Sequence, residues 1–323
     1  MPHYFTSSTL ITSVKRRALL PSSQSTFTND DFLELANEEI SLGILPSILR
    51  LHEDYLLYTE EVALISGQSN YSIPSRAIGN KLREISFKDT NGNIYEMTRI
   101  GIGDLPYYNN TYVTNMVYAY YVENNDVVLV PAITGSINGS LMMSYYLRPN
   151  ALVLETMAAK ILNINTITGT LIVDAVPETF STADDNGQDV KYDLIKSTSP
   201  FITIAASIVS TTINPTTKEI IFDPDDLPSS LAVGDYINFE HESVIPQIPQ
   251  DLHVVLAHRV ATRCLEALGD AQGLQLANQK LAEMEQNTTN LIDNRIEDAP
   301  RKIVNRHSIL RQGLSSRNGR IRR

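Results

Sequence analysis

Two kinds of periodicity share this chain, and their order along it limits the fold more than any single motif does. Near the N-terminus Phe32, Ala36, Ile40, Ile44 and Ile48 recur every fourth residue, with Leu35 and Leu51 beside them, drawing one apolar stripe along a helix. Thr28 or Asn29 supplies the N-cap, and Asp30 and Asp31 follow in the first turn, where carboxylates complement the helix dipole. Gly43 and Pro46 are expected to kink or split this helix, leaving a second piece from about Pro46 to Tyr58. A second stripe begins after Pro249: Leu252, Val255, Leu256, Val260, Cys264 and Leu268, ending at Gly269, a natural residue just past a helix end. Leu274, Ala277, Leu281, Met284, Thr288 and Leu291 then alternate three and four apart, a seam for an antiparallel or inter-subunit partner.

Between these helical ends the pattern shortens to β-type runs separated by turn residues. Strands are expected at 81–88, 93–100, 112–122, 126–130, 140–147, 170–176, 201–211, 218–222 and 235–240. Asn91-Gly92 is the strongest turn signal among them, because a tight hairpin demands positive φ angles. The expected fold class is therefore α+β: a helical bundle from the N- and C-terminal helices, a large inserted antiparallel β domain of barrel or sandwich type, and an extended basic C-terminal arm. The corresponding divisions are an N-terminal segment (1–27), bundle helices (28–60), the β-rich insert (61–248, with a subdomain split near 150), further bundle helices (249–296) and the arm (297–323).

Charge is distributed unevenly over this plan. The 323 residues include 26 basic and 37 acidic ones, a net charge of -11. Arg301, Lys302, Arg306, Arg311, Arg317, Arg320, Arg322 and Arg323 crowd the last two dozen positions with no acidic residue among them, leaving 18 basic against 37 acidic elsewhere, a body at -19 carrying an arm at +8. Such asymmetry marks an interaction segment more than a catalytic core, a solvated terminus being the plain alternative. Ile303, Val304, Ile309, Leu310 and Leu314 interleave with the charges, which suits a segment that orders on a partner surface.

Composition excludes several chemistries. A single cysteine, Cys264, rules out a disulfide within the chain and a thiolate zinc site. No run approaches the roughly 18 apolar residues of a membrane span, and the N-terminus lacks the basic-then-apolar order of a signal peptide, so a soluble protein made in a cytosol is expected. His253 and His258, the one close histidine pair, are five apart and face different ways on a helix, and the His-Glu-x-x-His metal motif is missing. Gly101-Ile-Gly103-Asp-Leu-Pro106 begins like a dinucleotide fingerprint but carries proline where the third glycine belongs. The acidic loops at 184–189 and 223–226 lack calcium-loop spacing and read as solvated turns. Asp30, Asp31, Glu34, Glu38 and Glu39 read as the polar face of a helix rather than an acid and base set. Eight tyrosines gather between Tyr107 and Tyr146, but no basic residue lies between 101 and 147, so strand packing explains them better than base stacking. No catalytic residue, cofactor or metal is expected.

Several stretches carry a resemblance. Phe32-Leu-Glu-Leu-Ala-Asn-Glu-Glu-Ile40 with Ile44-Leu-Pro-Ser-Ile48, Tyr71-Ser-Ile-Pro-Ser-Arg-Ala-Ile-Gly79 with Leu82-Arg83, and Tyr145-Tyr-Leu-Arg-Pro149 are among them. Pro249-Gln-Asp-Leu-His253, Leu265-Glu-Ala-Leu-Gly-Asp270 and Ala299-Pro-Arg-Lys-Ile-Val-Asn-Arg306 complete the set. With these the chain resembles the head-to-tail adaptor (connector or ring) proteins of tailed bacteriophages over most of 32–306; residues 160–240 depart from it. The resemblance implies a virion structural protein of the neck or tail, present in host cytoplasm during assembly. It further implies a dodecameric ring under the portal protein, contacts with other tail or ring proteins, and a lumen that passes DNA without reading its sequence. Docking on the portal would fall to the arm, through Arg301, Lys302, Ile303, Arg306, Ile309, Leu310, Arg311, Leu314, Arg317, Arg320, Arg322 and Arg323. An acidic body agrees with a conduit that lets DNA slide. The competing reading is a β-rich tail or fibre protein that binds a receptor or glycan.

Overall fold

The computed structural model describes residues 5–21, 26–51, 53–109, 117–131 and 139–292. Its helices are α1 (Ser7–Arg17), α2 (Asn29–Glu38), α3 (Leu45–Leu51), the one-turn α4 (Leu105–Asn109), α5 (Gln250–Leu268) and α6 (Ala271–Ile292). Thr28 caps α2 through a reciprocal box: its hydroxyl accepts from the Asp31 N–H at 3.2 Å and the Asp31 carboxylate accepts from the Thr28 N–H at 2.6 Å. The expected kink is a π-helical turn, Glu39–Ile44, joining α2 directly to α3. All five residues of the four-residue repeat from Phe32 to Ile48 are buried in one cluster with Leu252, Val255, Leu256, Val260 and Cys264 of α5, and Leu281 and Met284 of α6 pack against it. Gly269 ends α5 at φ 73°, as its position past the stripe predicts.

Two expectations for the N-terminal region need correction. Residues 7–17, taken as part of an unassigned segment, form α1; Leu10, Ile11 and Val14 bury in the same cluster, so tertiary packing overrides the weak helix propensity of a Ser/Thr-rich start. The helix expected to continue to Tyr58 stops at Leu51, and after a 3₁₀ turn (Glu53–Leu56) the chain is already in strand at Leu57.

The strands are β1 (Leu57–Ala63), β2 (Asn70–Ser72), β3 (Ala77–Asp89), β4 (Ile94–Glu96), β5 (Thr98–Arg99), β6 (Ala119–Glu123), β7 (Asp126–Val130), β8 (Gly139–Leu147), β9 (Ala151–Leu152), β10 (Ala159–Asn165), β11 (Thr170–Val173), β12 (Lys191–Ile195), β13 (Thr203–Asn214), β14 (Glu219–Phe222), β15 (Tyr236–Phe239) and β16 (Glu242–Ser243). Two four-stranded sheets, ordered β1-β8-β3-β4 and β2-β7-β6-β5, share a core that includes Tyr71, Phe87, Leu129, Leu141, Met143 and Tyr145. At the 89–93 hairpin Gly92 carries φ 84°, while Asp89 accepts from the N–H groups of Asn91 and Asn93 at 2.8 Å. The strand expected over 93–100 breaks into β4 and β5, and that expected over 112–122 is β6 alone, residues 111–116 lying outside the described set.

Beyond residue 150 the chain forms a closed six-stranded barrel, β10-β11-β14-β13-β12-β15, sealed where Ala159 pairs with Ile237. Its interior is filled by Ile161, Leu171, Tyr192, Leu194, Ile220 and Phe222, with the Phe180 ring 4.9 Å from Tyr192. The strand expected to reach 176 ends at Val173 because Asp174 turns the chain, accepting from the N–H groups of Lys160 and Ala175. Strands β10 and β12 lie where no strand is expected from sequence.

Candidate functional site

A buried polar network lies at the junction between the sheets, the barrel and the 148–151 connection. Strand β12 carries Asp193 with its carboxylate fully buried, and Arg76, at the start of β3's approach, donates from Nη2 to both of its oxygens at 2.8 Å. Asn150 Nδ2 donates to Asp193 Oδ2 at 2.6 Å. Two backbone donors complete the set, Ser207 N to Oδ1 at 2.9 Å and His241 N to Oδ2 at 3.1 Å. Ser207 and His241 both sit at positive φ, 59° and 69°, so the carboxylate holds two backbone positions that an L side chain ordinarily resists. Asn150 in turn donates its backbone N–H to Gln247 at 2.6 Å and Gln247 donates to Thr203 at 2.9 Å, which carries the network to the approach of α5. Arg76 Nη2, Asn150 Nδ2 and the Ser207 and His241 N–H groups reach Asp193 from separate parts of the chain, so the arrangement works as a lock between layers.

A second polar knot ties α2 to α5. Glu39, at the start of the π-helical turn, accepts from Arg263 Nε at 2.6 Å and from Arg259 Nη1 at 2.9 Å, while Arg259 also pairs with Glu285 of α6. Burial alone would push the Glu39 carboxyl up; the hydrogen bonds and charges of Arg263 and Arg259 outweigh it and hold the group below the usual carboxylate range. Gly43 leaves room for this contact, because a Cβ at that position would meet the Arg259 guanidinium and force it to shift.

The titratable groups singled out in the sequence fall into structural roles. His253 is buried on α5, where its Nδ1 accepts from the Phe5 N–H at 3.1 Å, so Nε2 carries the proton toward the Ile248 carbonyl at 3.2 Å. Burial pushes this imidazole down to about 4. His258 instead meets the Ala277 carbonyl of α6 at 3.0 Å, so the two histidines do not converge. Burial pushes the Cys264 thiol up to about 11. Asp184 closes its own turn, accepting from the N–H groups of Asn186 and Gln188 at 2.8 Å, and the latter contact leads in holding its carboxyl low. Among the described residues no three His, Cys, Asp or Glu side chains gather as metal ligands, and no helix is long and apolar enough to cross a membrane.

The twelve arm residues from Arg301 to Arg323 lie outside the described residues. Sequence reasoning missed both polar knots. Arg76 lies in the 71–79 stretch quoted for the resemblance and Asn150 directly follows the 145–149 stretch, and both meet at Asp193, a residue nothing in the sequence singles out.

The family model of the SU10 adaptor proteins matches residues 5–193. The chain belongs to that family. The match runs from the start of the helical layer through both sheets to Asp193 itself, and covers more than half of the chain. SU10 adaptors are phage head-tail adaptors, which makes the chain a structural protein of the virion that works with other head or tail proteins. No curated protein matches the chain.

Proposed function

We propose that this adaptor assembles as a closed ring of twelve copies beneath the portal, docks there through its C-terminal arm, and leaves a lumen through which DNA passes. Within family membership, the single observation that carries this reading is the +8 arm on a -19 body, with Ile303, Ile309 and Leu314 set among the arginines. An isolated basic tail makes only a salt-screened tether, whereas apolar anchors between the charges give a segment that buries surface on a protein groove. Twelve such arms act together, so each needs only modest affinity. A net negative body repels phosphate and favours sliding over capture of DNA. Helices α1, α2, α3, α5 and α6 act as one bundle from which the β-rich 61–248 projects toward other tail or ring proteins. The protein has no catalytic role.

Size-exclusion chromatography with light scattering on the chain mixed with the portal protein of the same virus tests this. Joint elution that is lost when residues 300–323 are removed is expected; joint elution unchanged by the truncation rejects the arm as the docking element.

A further inference from the structure

Two exposed features lie on opposite sides of α2. The first is at the end of α1. Arg16 is exposed, and three residues on Leu19 is 89% exposed with φ 53°, a left-handed conformation that costs leucine and not glycine. This left-handed residue ends α1, the Leu20 N–H returning to the Lys15 carbonyl at 2.9 Å, and since glycine usually fills such a position the leucine keeps its side chain in solvent at some backbone cost. The second is a broad groove of about 840 Å³ between α2 and residues 152–157. Asp30, Glu34 and Glu38, all exposed and spaced by four, edge it, and Leu33, Leu154, Met157 and the 78% exposed Leu42 give it apolar walls.

Helical geometry sets their relative directions. Lys15 of α1 lies over the Phe32 ring at 5.3 Å and donates to Asn29 at 3.1 Å, so the end of α1 is on the Phe32 side of α2. Glu34, two residues on from Phe32, points roughly 200° away round the helix, and Asp30 and Glu38 share its side. A basic-apolar knob and an acidic-apolar groove thus face away from each other on one chain. This is the requirement for a heterologous, head-to-tail contact, which generates a ring when the rotation closes.

We infer that the Arg16–Leu19 knob of one copy seats in the α2 groove of the next, with Arg16 meeting the carboxylate row and Leu19 meeting Leu42. The inference rests on the ring reading and names the contact that builds it. Opposite charge on the two faces admits this register and penalises knob against knob or groove against groove.

The test is disulfide trapping in assembled particles, with Leu19→Cys on one population of full-length chains and Leu42→Cys on another; buried Cys264 does not compete. A dimer that forms only when both populations are present is expected. A ring seen in the neck with no such dimer, or a dimer from Leu19→Cys alone, overturns the contact while leaving the ring reading intact; a neck without a ring of this chain overturns both. Leu19→Gly supplies a second arm, since glycine relieves the backbone at that position. The variant is expected to melt no lower than wild type yet lose at least tenfold in ring formation, and unchanged ring formation overturns the proposal.

Discussion

Arg76 and Asp193, 117 residues apart in the chain, form a buried ion pair in which one guanidinium nitrogen reaches both carboxylate oxygens at 2.8 Å. The pair fastens the sheets that precede residue 148 to the barrel that follows residue 158. Its weight comes from what else it serves, because the same carboxylate takes Asn150 and the strained backbone at Ser207 and His241.

Asp193→Ala is expected to destabilise the protein by about 3–5 kcal/mol, the usual cost of stranding one member of a buried pair. Replacing both partners by apolar residues, Arg76→Met with Asp193→Leu, recovers part of that loss and not all of it, since the Ser207 and His241 N–H groups lose their acceptor. Urea unfolding of Asp193→Ala and of the double variant measures this directly.

Gly43→Ala places a methyl group where the Arg259 guanidinium bridges Glu39 and Glu285. Arginine can swing aside only by releasing Glu39, so a loss of roughly 1–3 kcal/mol is expected, as for other overpacked sites. In an Arg259→Ala background the same substitution is expected to cost little or to stabilise, because alanine is the better helix former. A double-mutant cycle by thermal melting reads the difference.

These two polar knots also mark where sequence reading stops. The four-residue repeat from Phe32 to Ile48 was legible because each of its residues faces one core, and Gly269 because only a left-handed residue ends a helix that way. Strand β12 was not legible: Tyr192 to Ile195 are all buried, so the alternation that announces a strand is missing. Helix α1 was hidden because its polar start resembles a turn and its stability comes from burial of Leu10, Ile11 and Val14 against elements far along the chain. No local pattern links Arg76 to Asp193, since the pairing exists only once the sheets and barrel have met. The arm is an expectation from charge alone, and its residues lie outside the described ones.

Acid should weaken the helical layer through His253. Its ordinary value of 6.5 applies to the unfolded chain, and burial lowers it to about 4 in the fold, so between these values the unfolded form takes up a proton that the folded form refuses. The stability this neutral histidine supports is therefore fully present above about pH 6.5 and is lost as pH falls toward 4, by about 3 kcal/mol in total. Denaturant midpoints measured from pH 7 to 4 should drop over this window, and His253→Gln should flatten the limb.

Cys264 should behave as a core residue. With its thiol buried and pushed up to about 11, reaction with a thiol reagent at pH 8 is expected only at the rate of unfolding, and in denaturant one equivalent reacts at once. Fast labelling of the folded chain would show α5 to be open at that point.

Electron microscopy of particles made with the full chain or with residues 1–299 tests most directly whether the protein joins heads to tails through its arm. Full-length chain is expected to give tailed particles with a ring at the neck, and the truncated chain tailless heads despite an intact fold. Tailed particles in equal number with the truncated chain would contradict docking by the arm.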